Sequence, residues 1–142
     1  INLALSFIGA KAPEALLEAA DSDVAEVRVA AISALGDQIR KSDDLRAQNR
    51  VFQALDDSSA DVRAEAVTLI GKSCDAEDVE HMLVRKLADQ DTQVRKNTAM
   101  ALMKLEAFNA IKSIEMAKST EKDESVQAVF NVAINILGRN SQ

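Results

Sequence analysis

The sequence predicts an all-α solenoid, and three observations predict it. A dipeptide recurs: Val27-Arg28, Val62-Arg63 and Val94-Arg95 stand 35 and 32 residues apart. A self-similar period of this length marks stacked supersecondary units. The stretch after each dipeptide also repeats. VRVAAISALG closes at Gly36, VRAEAVTLIG closes at Gly71, and VRKNTAMALM places Met103 where a glycine would stand. Composition is the third observation: 47% of the 142 residues are hydrophobic and only 3% aromatic, with four glycines and one proline. Alanine-rich apolar stretches favour closely approaching helices, and so little Gly and Pro leaves no turn chemistry for β-hairpins.

Each unit reads as a first helix, A, and a second helix, B. Residues 1–9, INLALSFIG, align with the B block and read as a solitary B helix ending at Gly9. The first full pair opens at Lys11-Ala12-Pro13, with Pro13 in the first turn, where its missing N–H costs nothing. Leu16, Leu17 and Ala20 give that helix an apolar face, and Asp21-Ser22-Asp23 supplies cap chemistry for a B helix over 24–35. The second pair has a longer joint, residues 38–44, with Ser42 read as an N-cap and Leu45, Phe52 and Leu55 lining one face of A. Asp56-Asp57-Ser58-Ser59 then turns the chain into a B helix over 60–70.

In the third pair Asp75 caps, with Asp78 three residues on as in a capping box. Val79, Met82, Leu83 and Leu87 follow at helical spacing, and Asp89-Gln90-Asp91 leads into the B helix. The last pair is degenerate. Its A helix holds Phe108, Ile111 and Ile114, and its B helix carries the stripe Val126, Val129, Phe130, Ala133, Ile134, Leu137. Gln127 replaces the arginine and Glu121 the aspartate, the loss of signature expected of a terminal cap. Gly138 and the tail Arg139-Asn140-Ser141-Gln142 are expected to stop the helix. The expectation is a single domain over 1–142, with units 1–9 (partial), 11–36, 37–71, 72–103 and 104–138. A start at Ile1, inside a helical pattern, reads as a piece of a longer chain with other domains.

Three segments now carry a resemblance: residues 55–71 (LDDSSADVRAEAVTLIG), 87–103 (LADQDTQVRKNTAMALM) and, more weakly, 19–36 (AADSDVAEVRVAAISALG). They resemble HEAT repeats of the short bacterial kind grouped with phycobilisome-lyase-like proteins. That resemblance implies a right-handed superhelix of about four to five hairpins, with B helices along the concave wall and a ladder of Asp–Arg pairs. Asp57 and Asp89 precede Arg63 and Arg95 by six residues, while Ser22 takes the ladder position in the first pair. Such an aspartate can accept free N–H groups of the A–B turn, so the row reads as turn chemistry rather than as a charged binding track.

A net charge of −6 argues against a nucleic-acid partner, since phosphate binding needs concentrated Lys and Arg. No apolar run approaches the roughly 20 residues that cross a bilayer, so membrane insertion is not expected. The lone Cys74 fits a reducing compartment, and the expected location is cytoplasmic. One histidine, His81, cannot supply a zinc or iron ligand set, so neither metal nor cofactor is expected. Glu77, Asp78 and Glu80 cluster at a helix start, where acidic residues suit the dipole. Arg40, Lys41, Arg46 and Arg50 gather around the second joint but are interrupted by Asp43 and Asp44, and read as a solvated loop.

The remaining candidate is the B-helix wall. Counting from each valine, offsets 3, 4, 7 and 8 point into the stack, as at Ala30, Ala31, Ala34 and Leu35. Offsets 2 and 6 then face the groove: Val29 and Ser33, Ala64 and Thr68, Lys96 and Met100. Asn2 and Ser6 extend the row at one end, Ala128 and Val132 at the other. This shallow track suits a peptide or helix. The expected function is a non-enzymatic scaffold or adaptor binding a protein or peptide along this face. The alternative, implied by the resemblance, is a lyase-like accessory enzyme or chaperone for a chromophore or modified protein.

Overall fold

The computed structural model describes residues 13–41 and 44–140. Among them lie eight α-helices and no strand: α1 (Pro13–Ala19), α2 (Ala25–Gly36), α3 (Arg46–Gln53), α4 (Ala60–Ser73), α5 (Ala76–Arg85), α6 (Thr92–Lys104), α7 (Ile111–Thr120) and α8 (Glu124–Asn140). The chain is all-α, built of helical hairpins in the solenoid manner. The expected partial helix over 1–9, its groove residues Asn2 and Ser6, the Ser42 cap and the last two residues lie outside the described residues. Helices divide between two compact units, Ile1–Ser73 and Cys74–Gln142.

In the first unit α1 packs on α2, α3 on α4, and the two B helices α2 and α4 lie against each other. Leu16, Ala20, Ala31, Ile32 and Leu35 meet Val51, Ala54, Val62, Val67 and Ile70, all fully buried. The same plan recurs in the second unit, where α6 packs against α8 and each A helix against its own B. There the core is Val79, Leu83, Val94, Ala99, Leu102, Ile114, Val126, Phe130, Ala133 and Leu137. Apolar burial at about 25 cal/mol per Å² dominates the stability of such layers.

Several expectations are corrected. Leu45, assigned to the apolar face of α3, is 60% exposed, and Phe52 is only half-buried. The buried positions are Ala47, Val51, Ala54 and Leu55, because short alanines let α3 sit close to its neighbours. Offset 5 from each valine, left out of the expected inward set, is buried as Ile32, Val67 and Ala99. Offset 3 is inward only at Ala30. Glu65 and Asn97 take that place as half-buried polar residues.

Asp75 stands at the N-cap of α5 without a side-chain cap bond. Its carbonyl instead receives the Asp78 N–H at 3.0 Å, so the expected capping box is not made. Gly138 does not stop the last helix, which continues to Asn140. Without proline beyond it, and with open space where its Cβ would be, nothing there breaks the ladder.

The two repeat glycines occupy different places in their helices. Gly71 lies inside α4, and Gly36 is the last residue of α2. A Cβ on Gly36 would come within 2.5 Å of Leu69 Cδ2, so the glycine sets the approach of α2 to α4. A true stop follows α6. Glu106 adopts φ 55°, the Glu106 N–H reaches the Met103 carbonyl (3.0 Å) and the Ala107 N–H reaches Leu102 (3.0 Å). That pair of bonds is a Schellman motif with glutamate in the left-handed place usually given to glycine.

Candidate functional site

The Val-Arg motif is a two-sided staple. In each described repeat the residue after the valine donates to the carbonyl six residues before it, closing its own A–B turn. Arg28 reaches Ser22 (2.9 Å), Arg63 reaches Asp57 (2.9 Å), Arg95 reaches Asp89 (2.8 Å), and Gln127 reaches Glu121. The amide of Gln127 therefore keeps half of the arginine's work. The remaining guanidinium donors of Arg28 and Arg95 reach the next turn within their own units. Arg28 grips Asp57 through two bonds of 3.0 Å, and Arg95 grips Glu121 at 2.7 and 2.9 Å.

The acceptors are equally committed. Asp57 takes the Ser59 N–H (2.8 Å), Asp89 the Asp91 N–H (2.9 Å) and Glu121 the Asp123 N–H (3.1 Å). In the first turn Ser22 Oγ takes the Val24 N–H at 3.1 Å, so serine fills the ladder position in its own turn. Arg95 holds the Glu121 carboxyl below its usual range, against burial and with help from the Asp123 N–H. Burial pushes Asp57 up, but the bonds from Arg28 and the Ser59 N–H outweigh it and the net shift is downward. These charges are tied to one another and form turn chemistry.

The basic cluster of the second joint is occupied in the same way. Arg40 donates to the Ser73 carbonyl at 2.7 Å, Arg46 pairs with Asp44 and Glu14, and Arg50 holds the Ala20 carbonyl (2.7 Å) and Asp21. In the second unit a cleft of about 370 Å³ opens beside the turns, with Asp89, Arg95, Thr120, Glu121 and Lys122 on its walls. Its central pair, Arg95–Glu121, is internally neutralised. His81 is exposed on α5 and Cys74 half-buried ahead of it. No group of three or more His, Cys, Asp or Glu among the described residues could hold a metal ion.

The B-helix walls differ between the units. In the first, Val29, Ser33 and Ala64 are half-buried and Thr68 is exposed, a neutral row bordered by Glu26, Asp61 and Glu65 on the same two helices. In the second, Lys96 is half-buried and Met100 is 43% exposed on α6, while on α8 Ala128 is exposed and Val132 is 48% exposed. Offsets 2 and 6 are thus half-buried or exposed in both units. What the offset count missed is charge: α6 contains no carboxylate, and α8 has only Glu124 in its first turn. That signal is legible in residues 92–104 once the helix is known.

Repeating hairpins with this turn ladder define a HEAT-repeat protein, and the family described as HEAT repeats matches residues 49–135. The chain belongs to that family. It is 44% identical over 137 residues, 96% of its length, to the bilin biosynthesis protein MpeU of Synechococcus sp. (strain WH8020). The chain spans about half (46%) of that relative's length. Its fold is also similar to the crystal structure of an engineered protein from the Northeast Structural Genomics Consortium. There the TM-score is 0.62 at 22% identity, covering 98% of this chain and 68% of the other.

The relative corrects one expectation. The expected role is non-enzymatic, yet a protein 44% identical over most of the chain is named for a biosynthetic task; the chain has one histidine and neither tyrosine nor tryptophan. Scarcity of acid–base groups is weak evidence against catalysis, since proximity and orientation alone can lower a barrier substantially. A protein partner accords with the HEAT family. Among the described residues no helix is long and apolar enough to cross a membrane.

Proposed function

We propose that this chain is the repeat portion of a lyase-like protein of bilin biosynthesis, which holds a bilin acceptor protein while chromophore and acceptor side chain are brought together. The observation that carries the reading is the 44% identity to MpeU across 96% of the chain. In this reading the B-helix walls meet the acceptor protein, through Val29, Ser33, Ala64 and Thr68 in the first unit and Lys96 and Met100 in the second. The turn ladder keeps those helices in register, and the gain comes from positioning rather than from a titrating side chain of this chain.

The test is co-expression of the complete protein with a bilin source and a candidate acceptor. Covalent bilin is read as visible absorbance and zinc-enhanced fluorescence of the acceptor after denaturing electrophoresis. Attachment that depends on the chain supports the proposal, and equal attachment without it removes it. Ser33→Glu with Thr68→Glu tests the wall of the first unit, with lower acceptor recovery in an affinity pull-down as the expected result.

A further inference from the structure

The second unit's B-helix wall combines exposed apolar side chains with positive charge. Along α6 and α8, offsets 2, 6, 10 and 13 from the valine fall within about 80° of the helical wheel. On α6 they hold Lys96, Met100 and Lys104, and on α8 Ala128, Val132, Ile136 and Arg139. Lys104, Arg139 and Ala128 are exposed, and Ile136 is half-buried. Every charge in this arc is positive, on a chain whose net charge is −6. Asp123, just ahead of α8, is held below its usual range chiefly by Ser125 and the Val126 N–H, with Lys96 adding to it.

Arg95 ties the start of α6 to the residues just ahead of α8, so the two helices run side by side in the same sense. The 13 and 17 residues of these helices give a wall of roughly 20–25 Å at 1.5 Å per residue. Two adjacent helices leave between them a groove that fits one further helix of about four turns. Met100, with half-buried Met103 beside it, supplies adaptable apolar contact.

We propose that this wall docks an acidic amphipathic helix of a protein partner, its apolar stripe on Met100, Val132 and Ile136 and its carboxylates toward Lys96, Lys104 and Arg139. The proposal deepens the function proposed for the chain and rests on it only for the statement that the wall meets a protein. A membrane surface is the poorer fit, because interfacial insertion uses projecting Trp, Phe or Leu, and the exposed apolar side chains here are Met and Val.

The four methionines, Met82, Met100, Met103 and Met116, provide the readout through ¹³C-methyl NMR of the whole chain. The probes are two 18-residue synthetic amphipathic helices with the same Leu/Ala stripe, one flanked by Glu and one by Lys. The Glu peptide is expected to bind at least tenfold tighter, to shift Met100 and Met103 while leaving Met82 and Met116 in place, and to weaken with salt. Lys96→Glu with Lys104→Glu should reverse the preference while the melting midpoint stays within a degree or two. Equal binding of the twins, binding of neither, or shifts confined to Met82 or Met116 would overturn the proposal. So would methyl shifts that track protein concentration without peptide, or binding to vesicles of anionic lipid in preference to the Glu peptide. No bilin enters this measurement, so its failure leaves the attachment assay to decide the biosynthetic reading separately.

Discussion

Three nitrogens of Arg95 serve two different turns, one closing the turn it follows and two gripping Glu121 of the next. The Glu121 side chain is only 5% exposed, so removing the guanidinium leaves a carboxylate with poor access to water. Arg95→Ala is expected to cost about 2 kcal/mol, measured by chemical denaturation, since hydrogen bonds to charged groups are the stronger kind. The pair also sets the acid response. The folded-state pKa values of Glu121 and Asp57 lie below their unfolded values. Their contribution is therefore complete above the unfolded carboxylate range, about pH 4–4.5, and is lost as pH falls through the folded values. Melting midpoints should drop as pH is lowered from about 5 to 3, and Arg95→Ala should flatten that drop. Glu106 offers the opposite change. Its φ of 55° suits glycine, so Glu106→Gly should raise stability by about 1 kcal/mol in the same denaturation experiment.

At the scale of elements, the approach of α2 to α4 is governed by a single missing methyl. Leu69 Cδ2 lies 2.5 Å from where a Gly36 Cβ would sit, and Leu69 is itself only 6% exposed. Overpacking of this kind costs about 1–3 kcal/mol, while alanine regains about 1 kcal/mol of helix propensity. Gly36→Ala should therefore destabilise by about 1 kcal/mol, and combining it with Leu69→Ala should cost less than the two changes summed. Exact additivity in that double-mutant cycle would show that the glycine has no packing role. The repeat pattern marks Gly36 and Gly71 as equivalent, yet it cannot distinguish a helix end from a helix contact. Both readings place a small residue at the same interval.

For the molecule as a whole, the fold was legible in the sequence, and the function was open between two readings. The Val-Arg period, the alanine content and the A–B turn residues were enough for hairpins and for the inward positions at offsets 4, 7 and 8. The lyase-like alternative came from resemblance, and the relative in bilin biosynthesis supports it over the expected passive scaffold. Offset 5 escaped because a single-helix wheel places it beside the polar arc. In the folded chain Ile32, Val67 and Ala99 are nevertheless fully buried. If the second unit's wall meets the acceptor, Met100→Glu should lower covalent bilin yield severalfold in the co-expression assay without moving the melting midpoint. Unchanged yield would separate this wall from the attachment task.

Local chemistry alone determined that the chain forms paired helices and which residues close each A–B turn, because those choices depend on residues within one or two turns of each other. The tertiary structure decided the rest. Arg28 reaches Asp57 across 29 residues and Arg95 reaches Glu121 across 26. Gly36 matters through Leu69, and Lys104 and Arg139 share one wall only because α6 lies against α8. Such pairings depend on which helix faces overlap when hairpins stack, and no local spacing carries that distance.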